Sequence, residues 1–158
     1  MEYLRDLVPA DLNLCDGAAS FLQSGFWGGF KARFGWESRA FFADWGPGQG
    51  RPLLVMRRRL GPGFSFAYVP WGPELPGDLV ADANADTNAD ADADAGKADG
   101  TEAGEGRRGA LGELARALKA QLPGDTAFVR FDPPWYTEGA GIPPPPVGKP
   151  LYRAGADV

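Results

Sequence analysis

The chain has 158 residues, 44% of them hydrophobic and 12% aromatic, which is the composition of one folded domain with a hydrophobic core. It contains no histidine and one cysteine, so Cys–His pairs, Ser-His-Asp triads, ordinary zinc sites and internal disulfides are excluded. Eight acidic residues and one lysine between positions 81 and 106 give that segment a charge of −7, so the rest of the chain carries +2 of the total −5. A weakly basic remainder permits an anionic partner.

Membrane insertion and secretion are not indicated by the sequence. No run of apolar residues approaches the roughly 18 that suggest a membrane span. The apolar residues at the N-terminus are interrupted by acidic residues and an arginine, so they do not form the hydrophobic region of a signal peptide. We therefore expect a cytoplasmic protein with no integral membrane segment.

The first quarter of the chain is predicted to hold a strand over residues 3–8 and a helix over 17–23, with Asp16 as its N-cap. A second helix is predicted after Ser24, whose hydroxyl can accept an unpaired backbone N–H. It is predicted to end at Gly35, because glycine adopts the left-handed conformation that follows many helices.

Aromatic residues recur every fourth position in this second helix, at Phe26, Phe30 and Phe34. The spacing predicts an apolar face packed against the rest of the protein, with Lys31 and Arg33 solvated at its sides. The alternative is a rigid aromatic helix whose two cations hold an anionic ligand.

Three strands are predicted next, over residues 37–44, 53–59 and 64–69, separated by turns rich in glycine and proline. Such short connections favour an antiparallel meander. The run Arg57-Arg-Arg59 is predicted to be a solvated strand end, with Arg58 on the opposite face from its two neighbours. Trp71, beyond the third strand, either displays its indole or covers the edge of the core.

The segment 78–106 is rich in Ala, Asp and Gly, with no large apolar residue after Val80, so we predict a disordered acidic insertion. Its alternating acidic residues lack the glycine and glutamate of a calcium-binding loop, and no metal is assigned to them. An amphipathic helix over 107–122 and a strand over 126–131 follow. Residues 137–158 are predicted to be extended and proline-rich.

These elements predict an α/β (α+β) domain formed by residues 1–77 and 107–136. Its sheet is expected to be mixed but mainly antiparallel, with helices flanking it. The order of the elements resembles the first half of a GNAT-like acyltransferase domain.

Three segments narrow this resemblance to the Fem-type (FemABX) peptidoglycan-bridge aminoacyltransferases. Phe21-Leu-Gln-Ser24, Trp27-Gly-Gly-Phe-Lys31 and Phe34-Gly-Trp36 together resemble the N-terminal signature of that family. Ala67-Tyr-Val-Pro-Trp-Gly-Pro73 resembles its Tyr-x-Pro-x-Gly-Pro segment, and Val129-Arg-Phe-Asp-Pro133 resembles its Arg-x-Asp-Pro segment. The three segments occur here in the order in which the family has them.

The resemblance implies an enzyme of cell-wall biogenesis that moves an amino acid from aminoacyl-tRNA to the side-chain amine of a peptidoglycan stem peptide. The acceptor is UDP-MurNAc-pentapeptide or its lipid-linked form, and no cofactor or metal is implied. The family has two GNAT-like halves, of which this chain covers the first. A C-terminal half-domain is therefore an implied partner.

The resemblance also implies binding residues. Lys31, at the Trp-x-x-x-Lys position, would contact the diphosphate of the precursor, where a compact charge with three donors is suitable. Arg33 and Phe34 would be its neighbours, and Tyr68 and Arg130 are candidates because they lie in the other two segments. No catalytic residue is assigned.

Two other functions are compatible with the sequence. One is a non-catalytic fragment that binds the precursor or a partner protein. The other is a CoA-dependent GNAT N-acyltransferase, which would need an Arg/Gln-x-x-Gly-x-Gly/Ala loop to bind pyrophosphate before its central helix. No such loop is found near residues 70–112, so we favour the Fem-type reading.

Overall fold

The computed structural model describes residues 3–77 and 102–133, and it shows a mixed α/β fold with one five-stranded sheet. The strands lie in chain order and are β1 (Asp6–Ala10), β2 (Glu37–Asp44), β3 (Arg51–Gly61), β4 (Phe64–Val69) and β5 (Thr126–Phe131). Pairing is antiparallel from β1 to β4, and β4 and β5 are parallel. The predicted meander and the mainly antiparallel mixed sheet are confirmed.

The segment between β1 and β2 is more irregular than predicted. It contains two 3₁₀ turns, Leu12–Gly17 and Phe21–Gln23, and the helix α1, Gly25–Ala32. The predicted helix over 17–23 is wrong, since extended residues separate the two 3₁₀ turns, and the Asp16 carboxylate accepts from the backbone N–H of Gly25 at 3.1 Å.

The predicted N-cap of α1 and the left-handed glycine after it are confirmed, although the helix ends at Ala32, earlier than predicted. The Ser24 hydroxyl accepts from the backbone N–H of Trp27 at 3.1 Å, as an N-cap does. Gly35 has a φ of +80°, the left-handed conformation that follows many helix ends.

The second helix, α2 (Glu102–Gln121), covers one face of the sheet. The core on this α2 face contains Leu7, Phe41, Leu53, Val55, Ala67 and Val69 from the strands with Ala110, Leu114 and Leu118 from α2. The α1 face holds a smaller cluster of Cys15, Ala40, Leu54 and Met56, against which Trp27, Trp36 and Tyr68 pack. Strand residues alternate between the two faces.

Helix α2 begins five residues before its predicted start, so the predicted disorder of residues 102–106 is wrong. Its glycines lower helix propensity, but tertiary packing compensates for them. Gly104 and Gly106 are buried, and the ring of Tyr3 lies against Gly109. The predictions for residues 78–101 and 137–158 lie outside the described residues.

Polar contacts join α2 to the start of the chain and shift β1. The carboxylate of Glu113 accepts from the backbone N–H groups of Tyr3 and Leu4 at 2.7 and 2.8 Å. Since those donors are occupied by the helix, β1 begins at Asp6 and not at the predicted residue 3. In the described ranges, no helix combines the length and the hydropathy that crossing a bilayer requires.

The predicted apolar face of α1 is wrong in its orientation. Phe26, Phe30 and Phe34 are 66%, 41% and 60% exposed. The helix instead approaches the sheet through Gly28, which is buried and whose carbonyl accepts from the Ser38 hydroxyl at 2.8 Å. The close approach needs a residue without a side chain, and this directs the three phenylalanines outward.

Replacing Gly28 with alanine is expected to destabilise the fold by about 1–3 kcal/mol, the usual cost of overpacking. A Cβ atom there would lie 2.9 Å from Cδ1 of the buried Leu54 and 3.3 Å from Cβ of Ser38. Urea unfolding measures the effect. Gly29→Ala is the control, since a Cβ at Gly29 meets no atom within 4 Å. Equal stability of the two variants would contradict the assigned packing.

Arg57 is buried, so its predicted solvation is wrong. Its guanidinium pairs with Asp125 at 2.5 Å and with Glu37 at 2.7 Å, and Nε donates to the Ser65 hydroxyl at 2.9 Å. Burial acts to lower the pKa of Arg57, but hydrogen bonds and charges from Glu37 and Asp125 outweigh it and raise the pKa overall. Arg58 is exposed on the α1 face, and Arg59 is exposed as well.

Candidate functional site

The α1 face continues beyond α1 as an open surface of rings and cations. Strand pairing places Phe66 beside Phe128 and Tyr68 beside Arg130 on neighbouring strands. We call this the cation–aromatic surface; it comprises Trp27, Lys31, Trp36, Arg58, Phe66, Tyr68, Phe128 and Arg130.

Lys31 lies at one end of this surface, near the rings of two tryptophans. Its Nζ is 5.3 Å from the ring centroid of Trp27 and 5.4 Å from that of Trp36, within cation–π range of both. Among the described residues, no carboxylate pairs with this ammonium. Lys31 is therefore a positioned cation whose three N–H donors remain available to an anionic ligand.

Trp36 connects Lys31 to the strands. The Arg58 guanidinium carbon is 5.4 Å from its ring centroid, and the Trp36 ring also contacts those of Phe66 at 5.6 Å and Tyr68 at 6.3 Å. Phe66 in turn stacks with Phe128 at 5.5 Å. The sequence did not single out Trp36 or Arg58 as site residues, although the two-residue period of a strand had placed Arg58 apart from its arginine neighbours.

Tyr68 and Arg130 form the other end. The Tyr68 hydroxyl donates to the Asp132 carboxylate at 3.0 Å, and the Arg130 guanidinium carbon lies 5.7 Å from the Tyr68 ring centroid. Burial raises the pKa of Tyr68, the hydrogen bond and charge of Asp132 add to this, and the charge of Arg130 opposes it. Tyr68 is therefore a neutral, oriented hydroxyl at physiological pH.

The structure brings three of the five predicted binding residues together and leaves two elsewhere. Lys31 and Tyr68 both contact the ring of Trp36, and Arg130 lies over the ring of Tyr68. Phe34 contacts the ring of Phe30 at 5.0 Å on the outer side of α1. The Arg33 side chain is exposed and forms no hydrogen bond or ion pair with the residues that the structure describes.

Gln23 fixes α1 to the sheet, and sequence reasoning missed its role. It is 2% exposed, and its side-chain oxygen accepts from the backbone N–H of Leu54 at 2.8 Å. Its amide nitrogen donates to the carbonyls of Pro70 at 2.5 Å and Leu54 at 3.3 Å. Because β4 ends at Val69, the Gln23 amide takes the place of a strand residue beside Leu54.

Backbone hydrogen bonds join the segment after β4 to the residue that follows β5. The backbone N–H of Gly72 donates to the Asp132 carbonyl, and that of Asp132 donates to the Val69 carbonyl, both at 3.1 Å. The three segments that carry the family resemblance therefore meet in space. Gln23 of the first bonds Pro70 of the second, and Tyr68 and Gly72 of the second bond Asp132 of the third.

The electrostatics of this surface favour anions. Residues 17–36 and 45–73, which supply most of it, contain no aspartate or glutamate. The Asp132 carboxylate, which borders the surface, is engaged by the Tyr68 hydroxyl. Three cations beside flat rings suit a phosphate-bearing ligand with a planar group.

The described residues contain neither a reactive thiol nor a cluster of metal-ligating side chains. Burial, with the charge of Asp16, raises the pKa of Cys15 to about 11, so its thiol stays protonated and shielded at neutral pH. Within residues 3–77 and 104–133, no three acidic or thiol side chains gather as metal ligands. A cavity of about 470 Å³ lined by Asp11, Arg39 and Gln121 contains none of the predicted binding residues.

Comparison with known proteins identifies no relative: no family model, curated protein or solved structure matches the chain.

Proposed function

We propose that this chain is the precursor-binding, N-terminal half-domain of a Fem-type peptidoglycan-bridge aminoacyltransferase with a GNAT-like fold. The acceptor is UDP-MurNAc-pentapeptide or its lipid-linked form, the donor is aminoacyl-tRNA, and a C-terminal half-domain completes the enzyme in the cytoplasm. The observation that carries the proposal is the convergence of the three signature segments, through Gln23, Pro70, Gly72 and Asp132, at one edge of the cation–aromatic surface.

The topology supports the proposed fold. A strand, a helical segment, a three-stranded meander, a helix and a strand parallel to the last one follow each other in the order expected for the first half of a GNAT-like domain. The helix lies between two parallel strands in sequence, where such a pair needs a long crossover.

The proposed binding mode places the diphosphate of the precursor against Lys31. Arg58, which also lies over the Trp36 ring, supplies a second cation, and Arg130 a third. Arginine can bind phosphate oxygens bidentately, and lysine adds a point charge. The rings of Phe66 and Phe128 offer a flat apolar surface for the uracil base.

The proposed reaction transfers an acyl group from an ester to an amine. The ester C–O bond breaks, an amide C–N bond forms, and the amine proton leaves to the released ribose hydroxyl. Holding acceptor and donor together can supply much of the rate. The described residues provide the acceptor surface, and the C-terminal half-domain is expected to supply the rest. Turnover with charged tRNA, in the presence of that half-domain, separates an enzyme from a non-catalytic binding module.

Lys31→Ala is expected to weaken binding of UDP-MurNAc-pentapeptide by about tenfold to a hundredfold, the worth of one charge-assisted contact with a phosphate. Isothermal titration calorimetry measures this. Lys119→Ala is the matched control, since Lys119 is an exposed lysine on α2 and therefore on the other face of the sheet.

A second pair of variants locates the ligand more finely. Arg58→Ala is expected to weaken binding, whereas Arg59→Ala is not, because strand alternation places these neighbours on opposite faces. Binding that is unchanged in both Lys31→Ala and Arg58→Ala would remove the precursor from the cation–aromatic surface.

A further inference from the structure

A row of exposed aromatic rings runs along the outer side of α1. Phe21, Phe26, Phe30 and Phe34 are 59%, 66%, 41% and 60% exposed. Their ring centroids form a continuous chain: Phe26 contacts Phe21 at 5.6 Å, Phe21 contacts Trp27 at 5.8 Å, Trp27 contacts Phe30 at 5.5 Å, and Phe30 contacts Phe34 at 5.0 Å. We call the four phenylalanines the aromatic ladder.

The four phenylalanines of the ladder are not part of the hydrophobic core. Helix α1 packs on the sheet through Gly28 and Trp27, and the core beneath it is made of other residues. Contiguous exposed apolar side chains are uncommon on a protein surface and mark interaction sites. The ladder therefore indicates a partner that buries rings.

Cations border the ladder on both sides; residues 17–36 contain no acidic residue, and the Asp16 carboxylate lies at the N-terminal end of α1, where it is bonded to the Gly25 N–H. At about 100° per residue, Arg33 lies about 20° from Phe26 on one side, and Lys31 lies about 60° beyond Phe34 on the other. Lys31 also faces the cation–aromatic surface through Trp36. A partner that fits the ladder is therefore apolar where it meets the rings and anionic around them.

Two protein occupants fit this description poorly. The chain's own acidic segment, residues 81–106, matches the charge but contains no apolar side chain larger than alanine. A second copy docked symmetrically, ladder against ladder, would bring Lys31 and Arg33 of one copy towards the same cations of the other.

We propose that the ladder docks on an anionic lipid bilayer, with its rings at the boundary between headgroups and acyl chains. Aromatic rings on one side of a helix and cations beside them are the features by which interfacial helices bind membranes. Arg33 contacts headgroup phosphates, and anionic lipids attract the basic residues further. This inference goes beyond the proposed function: the four phenylalanines lie outside the cation–aromatic surface, and Lys31 and Trp27 border both surfaces.

Flotation with lipid vesicles tests the proposal on the full chain. The wild type is expected to float with vesicles containing phosphatidylglycerol and to bind vesicles of phosphatidylcholine alone more weakly. The triple variant Phe26→Ser, Phe30→Ser and Phe34→Ser is expected to lose at least about tenfold in partitioning. Leu60→Ser with Phe64→Ser is the matched control, since both are exposed apolar residues outside the ladder.

The folding of each variant and the depth at which the rings enter the bilayer are measured separately. Thermal melts of each variant show that lost flotation does not reflect lost structure. In the wild type, lipids brominated near the headgroup end of the acyl chains are expected to quench Trp27, the indole that contacts two ladder rings, and Trp27→Phe removes that quenching.

Three results would overturn the proposal. The first is that the wild type does not float with anionic vesicles, and the second is that the ladder variant floats as well as the wild type. The third is that the wild type self-associates and does not bind vesicles, whereas the ladder variant is monomeric. The last would assign the ladder to a second copy.

Discussion

Arg57→Met is expected to lower the free energy of unfolding by about 3 kcal/mol, at the lower end of the range for removing one partner of a buried ion pair. The Arg57 side chain is 3% exposed. It joins β3 to β2 through Glu37, to β4 through Ser65, and to the start of β5 through Asp125 and Thr126. Methionine fills much of the volume but leaves the Asp125 carboxylate, 24% exposed, without its cation. Glu37, 52% exposed, adds little, since water solvates its carboxylate.

Urea unfolding followed by circular dichroism measures this loss. Arg59→Met is the matched control and is expected to change stability by less than about 0.5 kcal/mol, because Arg59 is exposed. If the two variants were equally stable, the Arg57 network would be a surface contact and not part of the interior.

Gln23→Leu is expected to cost a similar amount, about 3 kcal/mol, for a different reason. Leucine packs in the same space, but the backbone N–H of Leu54 and the carbonyl of Pro70 lose their partners where water does not reach them. Each unsatisfied buried group costs about 1–3 kcal/mol. The loss should also loosen the segment after β4 and lower affinity for the precursor.

Hydrogen exchange reports this effect directly. The amide of Leu54 is expected to exchange faster in Gln23→Leu than in the wild type, while amides in the β2–β3 pairing keep their protection. Gln49→Leu is the control, because Gln49 lies in the β2–β3 turn and is partly exposed. An unchanged Leu54 amide and unchanged stability would contradict the bridging role of Gln23.

The sequence predicted the strands well because period-two patterns and turn residues are local signals. β2, β4 and β5 have the predicted bounds, whereas β3 is longer at both ends. The α1 caps were predicted for the same reason, since Ser24 and Gly35 act through their own neighbours.

Errors arose where distant residues decide the outcome. The Phe26, Phe30 and Phe34 pattern is that of a packed face, but the contact of Gly28 with Leu54 and Ser38 orients the helix. The burial of Arg57 depends on Asp125, which lies 68 residues away in sequence. Neither partner is visible from the local pattern.

The candidate site residues also divide into those that the fold brings together and those that it does not. The resemblance led to Lys31, Tyr68 and Arg130, which the fold brings together, but it also led to Arg33 and Phe34, which lie on the outer side of α1. Trp36 and Gln23 were not singled out, because their roles depend on contacts across the sheet. Spacing alone does not show which side of a helix meets a ligand.

Titration of the wild-type chain with UDP-MurNAc-pentapeptide, in parallel with acetyl-CoA, tests the proposed function most directly. We predict binding of the precursor and none of acetyl-CoA, because three cations and flat rings share the α1 face and no pyrophosphate loop is found near residues 70–112, before α2. Binding of acetyl-CoA by a folded chain that does not bind the precursor would contradict the proposed function and assign the protein to CoA-dependent acyl transfer.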